Sequence, residues 1–110
     1  MRTCEKGLVM DKESIKKLIR KKGTIHQSLI AIEELSELQK ALTKALRVDD
    51  GDDYVASDYK SNLREEIADV MICIEQIKVI FNLNDGDIEA WKQAKEDRLS
   101  ERYLEMSEDM

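Results

Sequence analysis

Residues 24–47 read TIHQSLIAIEELSELQKALTKALR, and the period of this stretch decides the fold. Its apolar residues Ile25, Leu29, Ile32, Leu35, Leu38, Leu42 and Leu46 return every three or four positions. That is the spacing of one face of an α-helix, not the alternation of a strand. Thr24 predicts the N-cap, because its hydroxyl can accept from a free backbone N–H of the first turn. Just upstream, Lys12 to Lys22 forms a shorter helical pattern that Gly23 is suited to end. Downstream, SNLREEIADVMICIEQIKVIFN (61–82) repeats the helical period through Leu63, Ile67, Val70, Ile74, Ile77 and Phe81. Asn84-Asp85-Gly86 predicts a turn, with Asp87 capping a fourth helix that reaches about Met106. Between the two long helices lies VDDGDDYVASD (48–58), read as an acidic loop. It lacks the alternate ligands, sixth-position glycine and twelfth-position glutamate of an EF-hand, so calcium is not expected there.

The 110 residues contain no proline, which favours helices joined by short polar turns. One domain with one core is expected over the full length, 1–110, with frayed termini. The expected fold class is all-α, a four-helix antiparallel bundle. So small a bundle buries limited apolar surface, and its two long helices look apolar on more than one face. A homodimer or homotetramer is therefore expected.

Charged residues make up 38% of the chain and apolar residues 42%, a mixture that fits neither a disordered nor a membrane protein. No apolar run approaches the roughly 20 residues needed to span a bilayer. The opening MRTCEKGLVMDKES has no apolar stretch ending at a small-residue cleavage site, and a cytoplasmic location is expected by default. A net charge of −6 argues against nucleic acid as the main partner, since such binding neutralises many phosphates with Lys and Arg. Cys4 and Cys73 are too far apart for a metal-ligand spacing, and Cys73 reads as a reduced thiol within an apolar pattern.

The chemistry lies in EELSEL (33–38) and EEIADV (65–70). Each holds two carboxylates three residues apart, one helical turn on a shared face. On a helical wheel Glu66 falls among Leu63, Val70, Cys73 and Ile77, with Asp69 at the edge of that stripe. Glu34 falls among Ile30, Leu38 and Ala41, and Glu33 and Glu37 share the next strip with His26 and Lys44. Carboxylates on apolar faces are costly to bury and, once gathered, repel one another. A hard divalent cation resolves both costs. With one histidine in the chain and no Glu-x-x-His, a ferritin-like di-iron site is not expected, nor is zinc. The set points to Mg²⁺, with Mn²⁺ as a substitute, acting on phosphate.

Glu34-x-x-Glu37, 28 intervening residues, then Glu66-x-x-Asp69 resembles the signature of the MazG-like all-α nucleoside triphosphate pyrophosphohydrolases. QSLIAIEELSELQKAL, including Gln27, resembles that family's first metal-binding helix, and NLREEIADVMICIEQ its second. The likeness spans roughly residues 24–100. It implies Mg²⁺-dependent cleavage of a (d)NTP between the α and β phosphates, giving (d)NMP and pyrophosphate. By position it implies Glu34, Glu37, Glu66 and Asp69 as metal ligands and Glu33 as the acid that orients or deprotonates the attacking water. Lys95 and Arg98 resemble the late-helix cations that contact phosphates; where some members carry asparagine three residues earlier, this chain has Lys92. His26 is a candidate beside the nucleotide, and Tyr54, Tyr59, Phe81 and Trp91 complete the candidates for stacking on a base. Two other functions remain compatible with the scaffold: a non-catalytic helical interaction protein, and a hydrolase of a phosphoribosyl nucleotide.

Overall fold

Gly23 is the joint on which the helical hairpin at the start of the chain turns. Its φ of +99° and ψ of 144° lie outside the backbone regions open to side-chain-bearing residues. Its N–H donates to the Ile19 carbonyl at 2.7 Å, closing one helix, while its own carbonyl accepts from the Gln27 N–H at 3.1 Å, opening the next. A single residue thus ends α1 (Lys12–Lys22) and begins α2 (Thr24–Val48). A Cβ at Gly23 would meet no atom within 4 Å, so the cost of a side chain there is backbone strain alone. Gly23→Ala should destabilise the protein by about 1–3 kcal/mol, seen as a lower urea midpoint at unchanged slope; an unshifted midpoint would show that the joint relaxes freely.

The computed structural model describes residues 10–48 and 56–104. It is all-helical, with α3 spanning Ala56–Ile80 and α4 spanning Asp85–Leu99 before a π-helical turn at Ser100–Leu104. Asp11 caps α1, its carboxylate accepting from the Ser14 N–H at 2.8 Å. That hydrogen bond holds the Asp11 carboxyl below its ordinary pKa, and Arg20, Lys21 and Lys22 complement the opposite end of the helix dipole.

Four expectations are corrected in detail. Thr24 is the first helical residue of α2, not its cap, because Gly23 already serves both helices. Asn84 rather than Asp87 caps α4: its side chain accepts from the Asp87 N–H at 3.1 Å. α3 starts at Ala56 instead of Ser61, so the acidic stretch 48–58 contributes Val48 to α2 and Ala56–Asp58 to α3; its residues 49–55 lie outside the described residues. The regular α-helix of α4 ends at Leu99, and Met106, its expected limit, also lies outside the described residues.

The larger difference concerns which face packs. Gln27, Ala31 and Ala41 of α2 are buried, and the helix turns this small-residue face toward Val70, Cys73 and Gln76 of α3. Ile15 and Ile19 of α1 complete the core. Alanines let two backbones approach closely, which the bulky Leu/Ile stripe would prevent. That stripe, apart from Leu38, faces outward: Ile25, Leu29, Ile32, Leu35, Leu42 and Leu46 are 48 to 76% exposed. On α3 Val70 is buried, whereas Ile67, Ile74 and Phe81 from the expected stripe are exposed. No residue of α4 is buried. The radius of gyration is 18.4 Å, against about 13 Å for a compact chain of this length. The expected four-helix bundle is therefore not closed within one chain: α1, α2 and α3 pack together and α4 stands open.

No described helix is long and apolar enough to cross a membrane.

Candidate functional site

Gln27 pairs with Gln76, and seven residues on from Gln27 and back from Gln76 stand Glu34 and Asp69. α2 and α3 therefore run antiparallel, and their shared register sets the carboxylates of the two motifs against each other. One oxygen from each of Glu34, Glu66 and Asp69 lies within 4.8 Å of the others, and all three side chains are half-buried. Of the four acids expected together, the structure thus brings three into one cluster.

The fourth, Glu37, is exposed and reaches Lys40 at 3.4 Å, yet its charge still acts on both Glu34 and Glu66. Glu33 is exposed one residue before the cluster and adds its charge to Glu34.

Electrostatics sharpen the picture. The Glu34 carboxyl is pushed above its ordinary pKa first by desolvation and then by the negative charges of Asp69, Glu37 and Glu33. Glu66 is raised the same way, by desolvation and then by Glu34, Asp69 and Glu37. Every charge named as acting on either group is an anion. Cys73 sits beneath the cluster, buried and unpaired, its thiol raised by burial and by Glu34 and Asp69. That agrees with an inert core thiol; Cys4 lies outside the described residues.

A pH dependence follows with a defined sign. Folding raises the carboxyl pKa of Glu34 and Glu66, so between the ordinary and raised values the folded state binds more protons than the unfolded one. Stability then falls as pH rises through that window. In chelator, the melting temperature should climb as pH is lowered from about 7.5 to about 5.5. Saturating Mg²⁺ should flatten the slope by taking the place of the protons. Identical slopes with and without Mg²⁺ would show that the cluster neither repels nor binds.

The remaining expected site residues stay apart from the cluster. His26 is exposed on α2, one heptad before Glu33. Lys95 and Arg98 line a shallow hollow on α4 with Leu99 and Arg102. The Lys95 ammonium stands 5.8 Å from the centre of the Trp91 ring, and Lys92 pairs with Glu96 at 3.1 Å. Among the stacking candidates, Phe81 and Trp91 are exposed, Tyr59 is half-buried on α3 and Tyr54 lies outside the described residues.

One feature was not anticipated. Gln27 Nε2 donates to Gln76 Oε1 at 2.8 Å, and each glutamine is only 6% exposed. The signal was available: Glu66, Asp69, Cys73 and Gln76 follow one another at helical spacing, as do Gln27, Ala31, Glu34 and Leu38. A glutamine on each packed face, equally far from the acids, marks a buried polar pair.

Compared with protein-family models, curated proteins and solved structures, the chain matches none of them.

Proposed function

We propose that this chain is a metal-dependent nucleoside triphosphate pyrophosphohydrolase of the MazG-like type, cleaving a (d)NTP between the α and β phosphates. The observation that carries this is the meeting of Glu34, Glu66 and Asp69 within 4.8 Å with only anions acting on them. The donor set fits a divalent cation: three half-buried carboxylates, all oxygen, with none of the sulfur or imidazole that would favour zinc or iron. Glu34, Glu66 and Asp69 would hold Mg²⁺ or Mn²⁺, with Glu37 as fourth ligand. Bound there, the ion supplies charge neutralisation for the phosphates and a lowered pKa for water.

The chain's own residues take the other tasks. Glu33, exposed beside Glu34, accepts a proton from the attacking water as general base. Lys95 and Arg98 offer cations for the phosphates and His26 a polar contact beside the nucleotide. These lie on surfaces that the single chain leaves open, and the exposed stripe of α2 and the uncovered α4 support a homodimer or homotetramer as the working form.

The two competing functions fare worse on the same observations. An interaction scaffold has no use for carboxylates that repel one another across its main helix contact. A phosphoribosyl nucleotide would meet the same metal chemistry, so substrate comparison must separate it. The deciding experiment is pyrophosphate release from a panel of common and modified (d)NTPs and one phosphoribosyl nucleotide, with Mg²⁺ or Mn²⁺ and with chelator. Metal-dependent release from at least one triphosphate is expected. No metal-dependent turnover across the triphosphates would end this assignment.

A further inference from the structure

A groove of about 480 Å³ runs along the flank of α3 beside the start of α1, within the range of small-ligand pockets, roughly 300–1,000 Å³. Met10, Ile15, Met71 and Ile72 give it apolar walls. Two polar side chains also line it. Glu75 is engaged by Lys78 at 2.9 Å. The other is Gln76, 6% exposed, whose Oε1 is taken by Gln27 at 2.8 Å. Its Nε2 has no partner among the described residues. A buried amide with idle N–H donors at the edge of an apolar groove calls for an acceptor from outside.

The groove is also well placed relative to the acids. Gln76 is seven residues beyond Asp69 on the same face of α3, about 10 Å along the helix at 1.5 Å per residue. A sugar and its first phosphate bridge such a gap.

We propose that this groove receives the base of the nucleotide and that Gln76 Nε2 donates to a ring carbonyl of it. Bases bearing a keto group beside a ring nitrogen (uracil, thymine, guanine) are then preferred over cytosine and adenine, which present an exocyclic amine at the corresponding position. Met10 and Met71 supply polarisable thioethers for the faces of the ring. Gln27 is a positioning residue: by occupying Gln76 Oε1 it fixes which end of the amide meets the base. This inference rests on the nucleotide function proposed above, and its test is arranged to stand apart from it.

Titrate the full-length, metal-free protein with uridine, guanosine, cytidine and adenosine, which carry no phosphate, and follow the Gln76 side-chain amide by NMR. Uridine and guanosine should shift that resonance and bind more tightly than cytidine and adenosine by roughly three- to tenfold, the scale of one hydrogen bond. Gln76→Leu should erase the ranking. Gln76→Glu, which replaces donors by acceptors, should invert it toward cytidine and adenosine, an outcome that a merely structural glutamine would not produce. Ile72→Arg, on an exposed wall of the groove, should weaken all four and serves as the second variant if either Gln76 substitution fails to fold.

A Gln76 amide indifferent to every nucleoside, a ranking unchanged in Gln76→Glu, or binding unchanged in Ile72→Arg would overturn the proposal. So would groove resonances that respond to protein concentration alone, which would assign the groove to a second copy of the chain. If triphosphates are cleaved but the Gln76 variants keep the base ranking of the wild type, the groove assignment fails by itself. If none is cleaved, the enzymatic assignment fails, and the nucleoside titration still decides the groove.

Discussion

Glu66→Gln should lower kcat/KM for the best triphosphate substrate by on the order of 10²–10³-fold, the scale of removing one group that stabilises charge in a transition state, while raising the melting temperature of the metal-free protein. The opposite signs come from one cause. Glu66 is desolvated and faces Glu34, Asp69 and Glu37, so without metal its charge opposes folding, and an amide of the same shape relieves that opposition. With metal, the same charge is what holds the ion. Glu66→Gln should also shrink the stabilisation by Mg²⁺, which for a wild-type site at one hundred times Kd amounts to about 2.7 kcal/mol. Steady-state kinetics and thermal melts with and without Mg²⁺ check both halves. A variant that loses activity and also melts lower without metal would mean that Glu66 supports the fold rather than suffering in it.

Leu29→Lys combined with Ile32→Lys should convert the protein from an associated to a monomeric form and reduce activity with it. Both positions are about 60% exposed on the stripe that runs the length of α2. Burying a leucine or isoleucine fully contributes about 1.5–3 kcal/mol, and six such residues per chain, each about half exposed, offer a favourable term comparable with the roughly 4–15 kcal/mol cost of association. Two lysines at the centre of that surface would each have to be desolvated without a partner. Sedimentation velocity at micromolar concentration gives the readout. Because neither residue touches the acid cluster, retained secondary structure by circular dichroism separates lost association from lost folding. A wild-type protein that already sediments as a monomer would remove the stripe as an interface.

The sequence made some of this legible and not the rest, for physical reasons. The helical period, Gly23 and the spacing of the four acids are local properties, and α1 and the body of α2 lie where that period put them. The clustering of Glu34, Glu66 and Asp69 could be anticipated because charges inside an apolar pattern need an explanation wherever the pattern packs. Which face packs was not legible. A helix with leucines on one side and alanines on another satisfies the periodicity test through its leucines, yet close approach selects Ala31 and Ala41. The caps slipped for a similar reason: Asn84 and Asp87 both suit an N-cap, and only the three-dimensional turn decides between them. The proximity of Lys95 and Arg98 to the acids has no local signature at all, since it depends on how α4 is held.

That last helix carries a consequence of its own. α4 has its cap at Asn84, the Lys92–Glu96 pair and a tie from Lys78 to Asp85 at 3.0 Å, but no buried residue. A helix of 15 residues held by such local terms is marginal in water. Whatever further order it keeps must come from a surface outside its own chain. Its helicity then becomes a function of how much of the protein is present, and the last quarter of the chain acts as a gauge of its own abundance: most open to proteases when copies are few, and sheltered when they are many.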